Sequence, residues 1–142
     1  MKTTHQITFA RAYTAPPKVI IFLNKLDMAN DKNWRVNATA SNITATGFTI
    51  NLDTWGDTVL YSAAAAWIAY PSNKTGVASG SYNTQDVRPW NKLQLTNGGK
   101  VNFPSGAFQK NPTVLVAFNS LDIDHSHNLR LKLSADRLLR ME

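Results

Sequence analysis

Most of this sequence occurs twice, the second copy lying 95 positions after the first. Pro17 meets Pro112, Val19 meets Val114, Leu26-Asp27 meets Leu121-Asp122, and Asn33-Trp34-Arg35 falls on Asn128-Leu129-Arg130. With one residue inserted in the second copy, Ile7-Thr8-Phe9 also matches Val101-Asn102-Phe103. A period this long is that of a whole domain, because solenoid units repeat every 20–50 residues or so. A chain of 142 residues therefore holds one and a half such units. The expected division is residues 1–75, a unit without its first strand, and residues 76–142, a second unit without its last two. The unused strand edges call for a partner. The expected solution is a permuted sandwich in which Gly47 to Tyr70 completes the second copy. The competing arrangement lets Gly76 to Leu95 complete the first copy and leaves the chain loose from Val101.

Nearly every segment reads as strand. Lys18 to Leu26 is a continuous apolar, β-branched run after a Pro-Pro turn, the pattern of a strand buried on both faces. Trp34 to Ala40 and Gly47 to Asp53 alternate, which predicts one face in the core and one in water. Val59 to Tyr70 contains four consecutive alanines, which favour helix on propensity alone. Ala63, Ala65, Trp67 and Ala69 nevertheless share one face at period two, and the segment reads as a strand with Trp67 in the core. A further strand is expected within Gly76 to Tyr82, and another at Leu93-Gln94-Leu95 before the turn at Asn97-Gly98-Gly99. Short strands, regular turns and almost no helix signal predict an all-β, antiparallel sandwich.

Composition narrows the function. With 43% of residues hydrophobic and 17% charged, the chain can bury a core. It contains no apolar run long enough for a membrane-spanning helix, and its N-terminus lacks the apolar stretch of a signal peptide. Cysteine is absent, which excludes disulfides and cysteinyl metal sites without fixing a compartment. The net charge of +6 raises the question of nucleic acid. The basic residues are scattered singly apart from Arg130, Lys132, Arg137 and Arg140, and no strand interleaves them with aromatics as a stacking platform would. The excess charge is better matched to solubility and to approach toward acidic glycans. No thiol, Gly-x-Ser-x-Gly elbow or phosphate loop points to catalysis. Asp53 and Asp57 form no argued glycosidase pair. Asp122, Asp124, His125 and His127 have the spacing of a metal cluster, but Asp122 is the repeat partner of Asp27, whose copy continues without histidines, so an ordinary loop is expected.

Ile7-Thr8-Phe9, Tyr13 with Pro16-Pro17-Lys18-Val19, Leu26-Asp27, Asn33-Trp34-Arg35, Thr46-Gly47-Phe48, Thr54-Trp55, Tyr61-Ser62 and Trp67-Ile68 occur in this order. That series resembles the H-type lectin domain, known from the snail agglutinins that bind N-acetylgalactosamine and from the C-terminal domains of the discoidins. The resemblance implies a six-stranded antiparallel β-sandwich that assembles as a trimer, with sugar sites between neighbouring protomers. It implies that Arg35 hydrogen-bonds sugar hydroxyls while Trp55 and Tyr61 come from the neighbouring subunit. Gly56 stands where the snail agglutinin carries a site histidine. The carboxylate loop of the family precedes Ile7 and falls outside the first copy. In the second copy Asp86 and Asn91 are its candidates, together with Arg130. The chemistry is coherent without the family: a galactose-type ring packs its apolar face on an aromatic, and its hydroxyls suit a rigid arginine fork. The expectation is a non-catalytic galactose- or N-acetylgalactosamine-binding homo-oligomer needing no cofactor. The alternative is an assembly or targeting module within a larger protein.

Overall fold

The structure, a computed structural model, describes residues 1–136 and is all-β among them. Six strands form in chain order: β1 (Lys2–Thr8), β2 (Lys18–Met28), β3 (Trp34–Ser41), β4 (Gly47–Asp53), β5 (Leu60–Tyr70) and β6 (Ser120–Ile123). They make two antiparallel sheets, one ordered β1-β4-β3-β6 and the other β2-β5. Among the described residues no helix is long and apolar enough to cross a membrane.

The two sheets face each other through residues spaced two apart, as side-chain alternation requires. Ala38 of β3, Phe48 of β4 and Ile21 of β2 are buried at the centre. Ile7, Ala40, Ile50 and Leu52 pack on them from the larger sheet, and Val19, Leu23 and Ala65 from the smaller. The alanine-rich segment is a strand because its register sets Ala65 opposite Leu23 and Trp67 opposite Ile21. Helix propensity yields to cross-strand pairing over an apolar partner. Trp67 stacks near Phe9 and edge-on to Phe48, yet remains 39% exposed, so it borders the core and does not fill it. Strand β2 packs one face on this core, through Val19, Ile21 and Leu23. Ile20 and Phe22 are half-buried on the other, opposite Ile68 and Ala66 of β5.

The chain divides into two units, Met1–Asn73 with the chain from Thr113 onward, and Lys74–Pro112. In the first, β4 pairs with β1 and β3, and β5 pairs with β2, so Gly47 to Tyr70 stays within its own copy. The sixth strand comes from the second copy. Leu23 N–H bonds to the carbonyl of Phe118, Ala38 N–H to that of Asn119, and β6 then runs along β3. Residues 118–123 thus step from the edge of one sheet to the edge of the other. The second unit has no strand. A 3-10 turn at Thr84–Asp86 is capped by Asn83, and neither 76–82 nor 93–95 forms a strand. Leu93 and Leu95 are exposed. Residue types suited to a strand do not make one without a ladder.

Gly47 holds β1 and β4 together closely, since a Cβ there would run into the Ile7 carbonyl. Thr44 Oγ1 accepts from the Gly47 N–H at 3.2 Å, fixing the turn that enters β4. Gly47→Ala is expected to lower the urea midpoint by forcing β1 outward. Phe48→Ala, which empties a fully buried ring site, is expected to cost ~3–5 kcal/mol. A Gly47→Ala midpoint equal to wild type would show that β1 contributes nothing to stability.

Candidate functional site

Strand β3 begins Asn33-Trp34-Arg35-Val36. Val36 points inward and is completely buried, so alternation turns Arg35 to the other face. Its side chain is only 20% exposed because two carboxylates close around it. Arg35 Nε donates to Asp122 Oδ1 at 3.2 Å, and Nη1 donates to Asp57 Oδ1 at 2.7 Å. Asp122 is delivered by β6, where it sits opposite Arg35 in the strand register. Asp57 comes from the loop between β4 and β5.

That loop is anchored at both ends. Thr54 is buried, its N–H bonds to the Met1 carbonyl at 2.9 Å, and the Met1 ammonium returns a bond to the Thr54 carbonyl at 2.8 Å. At the other end Thr58 Oγ1 donates to the Asn33 carbonyl at 2.6 Å. Between them Gly56 takes a left-handed conformation with φ +65°, and a Cβ there would lie 2.6 Å from Arg35 Nη1. Glycine both permits the turn and lets the backbone lie against the guanidinium. Trp55, 41% exposed, and Tyr61, 67% exposed, flank the loop on the surface.

The turn after β6 braces the same end of β3. Asn33 Oδ1 accepts from the His125 N–H at 3.1 Å and lies 2.9 Å from His125 Nδ1, which places the imidazole proton on Nδ1. Asp124 Oδ1 accepts from the Ser126 N–H at 2.6 Å, and His127 Nδ1 meets Ser126 Oγ at 2.8 Å. The four acidic and imidazole side chains singled out in the sequence therefore point at Arg35, Ser126 and Asn33. Asp124 is held below the ordinary aspartate range, chiefly by its bond to Ser126. Asp57 is also lowered, first by its hydrogen bond to Arg35.

The other residues singled out in the sequence stand apart. Asp86 Oδ2 accepts from the Asn83 N–H at 2.8 Å and so caps its own turn. Asn91 is exposed in the same Lys74–Pro112 unit. Arg130 is exposed and makes no hydrogen bond or ion pair among the described residues. Arg137 and Arg140 lie outside the described residues. Sequence reading did not connect Asp57 or Asp122 with Arg35. The available signals were the position of Asp57 two residues after Trp55 and the repeated Leu-Asp pair that contains Asp122.

The fold is a two-sheet antiparallel sandwich that carries a carboxylate-flanked arginine at the end of β3. The family model described as "H-type lectin domain" matches residues 4–70 and 99–138. The chain belongs to the H-type lectin domain family, whose members are non-enzymatic carbohydrate-binding domains. Over 66 residues it is also 39% identical to the protein called "ATP synthase subunits region ORF 7" of Fuscovulum blasticum. That stretch is 46% of this chain and 57% of the relative, so the chain spans a little over half the relative's length.

Gly56→Ala tests the geometry of the site. The new methyl group would push Nη1 away and strain the turn, releasing Asp57. In a carboxyl NMR titration, wild-type Asp57 is expected to titrate below an ordinary aspartate, and the variant to move up toward it. The sign follows from linkage: a depressed carboxyl contributes stability above its unfolded pKa, and that contribution disappears as pH falls through the folded value. An Asp57 titration unchanged by Gly56→Ala would mean that the turn does not set the ion pair.

Proposed function

We propose that the chain is a non-catalytic lectin for galactose- or N-acetylgalactosamine-type glycans, with its site centred on Arg35. The observation that carries this reading is the Arg35 guanidinium, fixed by Asp57 and Asp122 and lying against the Gly56 turn of the loop that also carries the exposed Trp55. Arg35 retains donor groups on Nη1 and Nη2 for sugar hydroxyls, and each carboxylate keeps an oxygen as acceptor. Trp55 and Tyr61 supply aromatic faces for the apolar side of a galactose ring. Gly56 leaves the room that the Arg35 guanidinium fills, and so sets where that fork would meet a sugar. In the sequence repeat, residues 76–142 correspond to part of a second H-type unit, and Arg130 is the repeat partner of Arg35.

Each hydrogen bond of this kind contributes about 1 kcal/mol net, so a single site binds weakly. Avidity raises apparent affinity by roughly 10²–10⁴ when several sites engage together. The partly exposed outer face of the β2-β5 sheet, with half-buried Ile20 and Phe22 and exposed Ile68, supports a homo-oligomer, and a cyclic three-fold assembly suits sites shared between protomers.

Trp55→Ala is expected to abolish retention on N-acetylgalactosamine beads while the protein still melts cooperatively. Normal retention together with loss of the cooperative transition would make Trp55 a structural residue and defeat this assignment. Silence of the wild type on a glycan array would favour the assembly-module alternative.

Light scattering at micromolar concentration is expected to give three times 15.7 kDa. A monomer that still binds sugar would remove the shared-site assembly.

A further inference from the structure

The charge around Arg35 has the opposite sign from the chain as a whole. An exposed arginine with a free planar fork is a natural receptor for a carboxylate or sulfate, which it takes bidentately. Arg35 is not free in this way. Asp57 Oδ1 holds Nη1 at 2.7 Å and Asp122 Oδ1 holds Nε at 3.2 Å, with both aspartates well exposed to solvent. One guanidinium and two carboxylates leave the cluster with a net negative charge. An anionic ligand that took the remaining Nη1 and Nη2 hydrogens would bring its charge up against these two carboxylates. A hydroxyl meets no such conflict, because it can donate to a carboxylate and accept from a guanidinium N–H at once.

We infer that Asp57 and Asp122 are specificity-determining residues that make the Arg35 site select neutral, hydroxyl-bearing sugars and reject carboxylated or sulfated ones. This rests on the glycan reading of the same site and adds the ligand charge class and the residues that set it. Asp122 belongs to the second copy, so the later repeat fixes the selectivity of the earlier one within one chain. The +6 charge of the whole chain does not oppose this. Its basic residues are dispersed, and their field decays over about 10 Å in ordinary salt, whereas the two aspartates act at contact distance.

The test compares two ligands with the same ring: methyl α-galactopyranoside and its uronic acid, methyl α-galactopyranosiduronate, titrated at neutral pH by ligand-observed NMR. The wild type is expected to prefer the neutral glycoside by roughly tenfold, as one uncompensated charge at contact range predicts for a half-exposed site. Raising the salt concentration narrows that ratio. Asp57→Asn and Asp122→Asn, each keeping shape and an acceptor oxygen, are each expected to shift the ratio toward the uronate. The ratio is the deciding readout, because merely displacing Arg35 weakens both ligands alike. Equal wild-type affinity for the two ligands overturns the inference and leaves the lectin reading intact. A strong preference that neither variant changes also overturns it, by placing selectivity elsewhere. Binding of neither ligand overturns the glycan reading together with the inference. Should a variant fail to fold, the wild-type ratio and its salt dependence still decide.

Discussion

The open side of β3 is the constraint on which the larger unit depends. One side of β3 is satisfied by β4, and the other would present unpaired N–H and C=O groups beside the fully buried Val36 and Ala38. Residues 118–123 close it, first through the Asn119 carbonyl on Ala38 and then through β6. The closing strand comes from a repeat that begins elsewhere in the sequence, so the fold of the first copy is bound to the second. The same pairing brings Asp122 opposite Arg35. Sheet closure and the formation of the site are therefore one event, and a change that loosens β6 reaches both.

Period-two patterning was the legible part of the fold. It located β3, β4 and the alanine-rich β5, because each has one face on the core and alternates accordingly. It failed where burial depends on a layer that pattern alone does not specify. The apolar run of β2 reads as a strand buried on both faces, yet only Ile21 is fully enclosed, and Ile20 and Phe22 are half-buried. Pattern also predicts strands at 76–82 and 93–95, where the residue types are suitable but no strand forms. Leu129, Leu131 and Leu133 repeat the alternation of β3 and are exposed. The permuted sandwich was a choice among pairings, and pairing partners are what a one-dimensional pattern does not carry.

The candidate site is legible one residue at a time and not as a constellation. Order along the chain nominates Arg35, Trp55, Gly56 and Tyr61 separately, and the structure brings Gly56, Asp57 and Asp122 to Arg35. Bringing Asp122 to Arg35 needs a register across 87 positions, which is fixed by β6 docking and by no local signal. Asp57 is only 22 positions from Arg35, yet its approach depends on the left-handed turn at Gly56. The glycine was noticed as a missing histidine. Its structural meaning lies in the space it leaves for a guanidinium and a carboxylate to meet at 2.7 Å.

Arg35 also shows why an ion pair can matter more for shape than for stability. Both aspartates are exposed, and surface pairs of this kind contribute little to folding. A long arginine side chain has many rotamers, however, and a ligand that must freeze them binds more weakly by the entropy lost. Two carboxylates from different segments fix the fork before any ligand arrives. The Thr54 and Thr58 bonds hold one of those segments in place, and the bond from Asn33 to His125 steadies the turn beside the other. The hydrogen bonds around this end of β3 thus order a single cationic group at the surface, and under the proposed lectin reading that order lowers the entropy a weakly held sugar would cost.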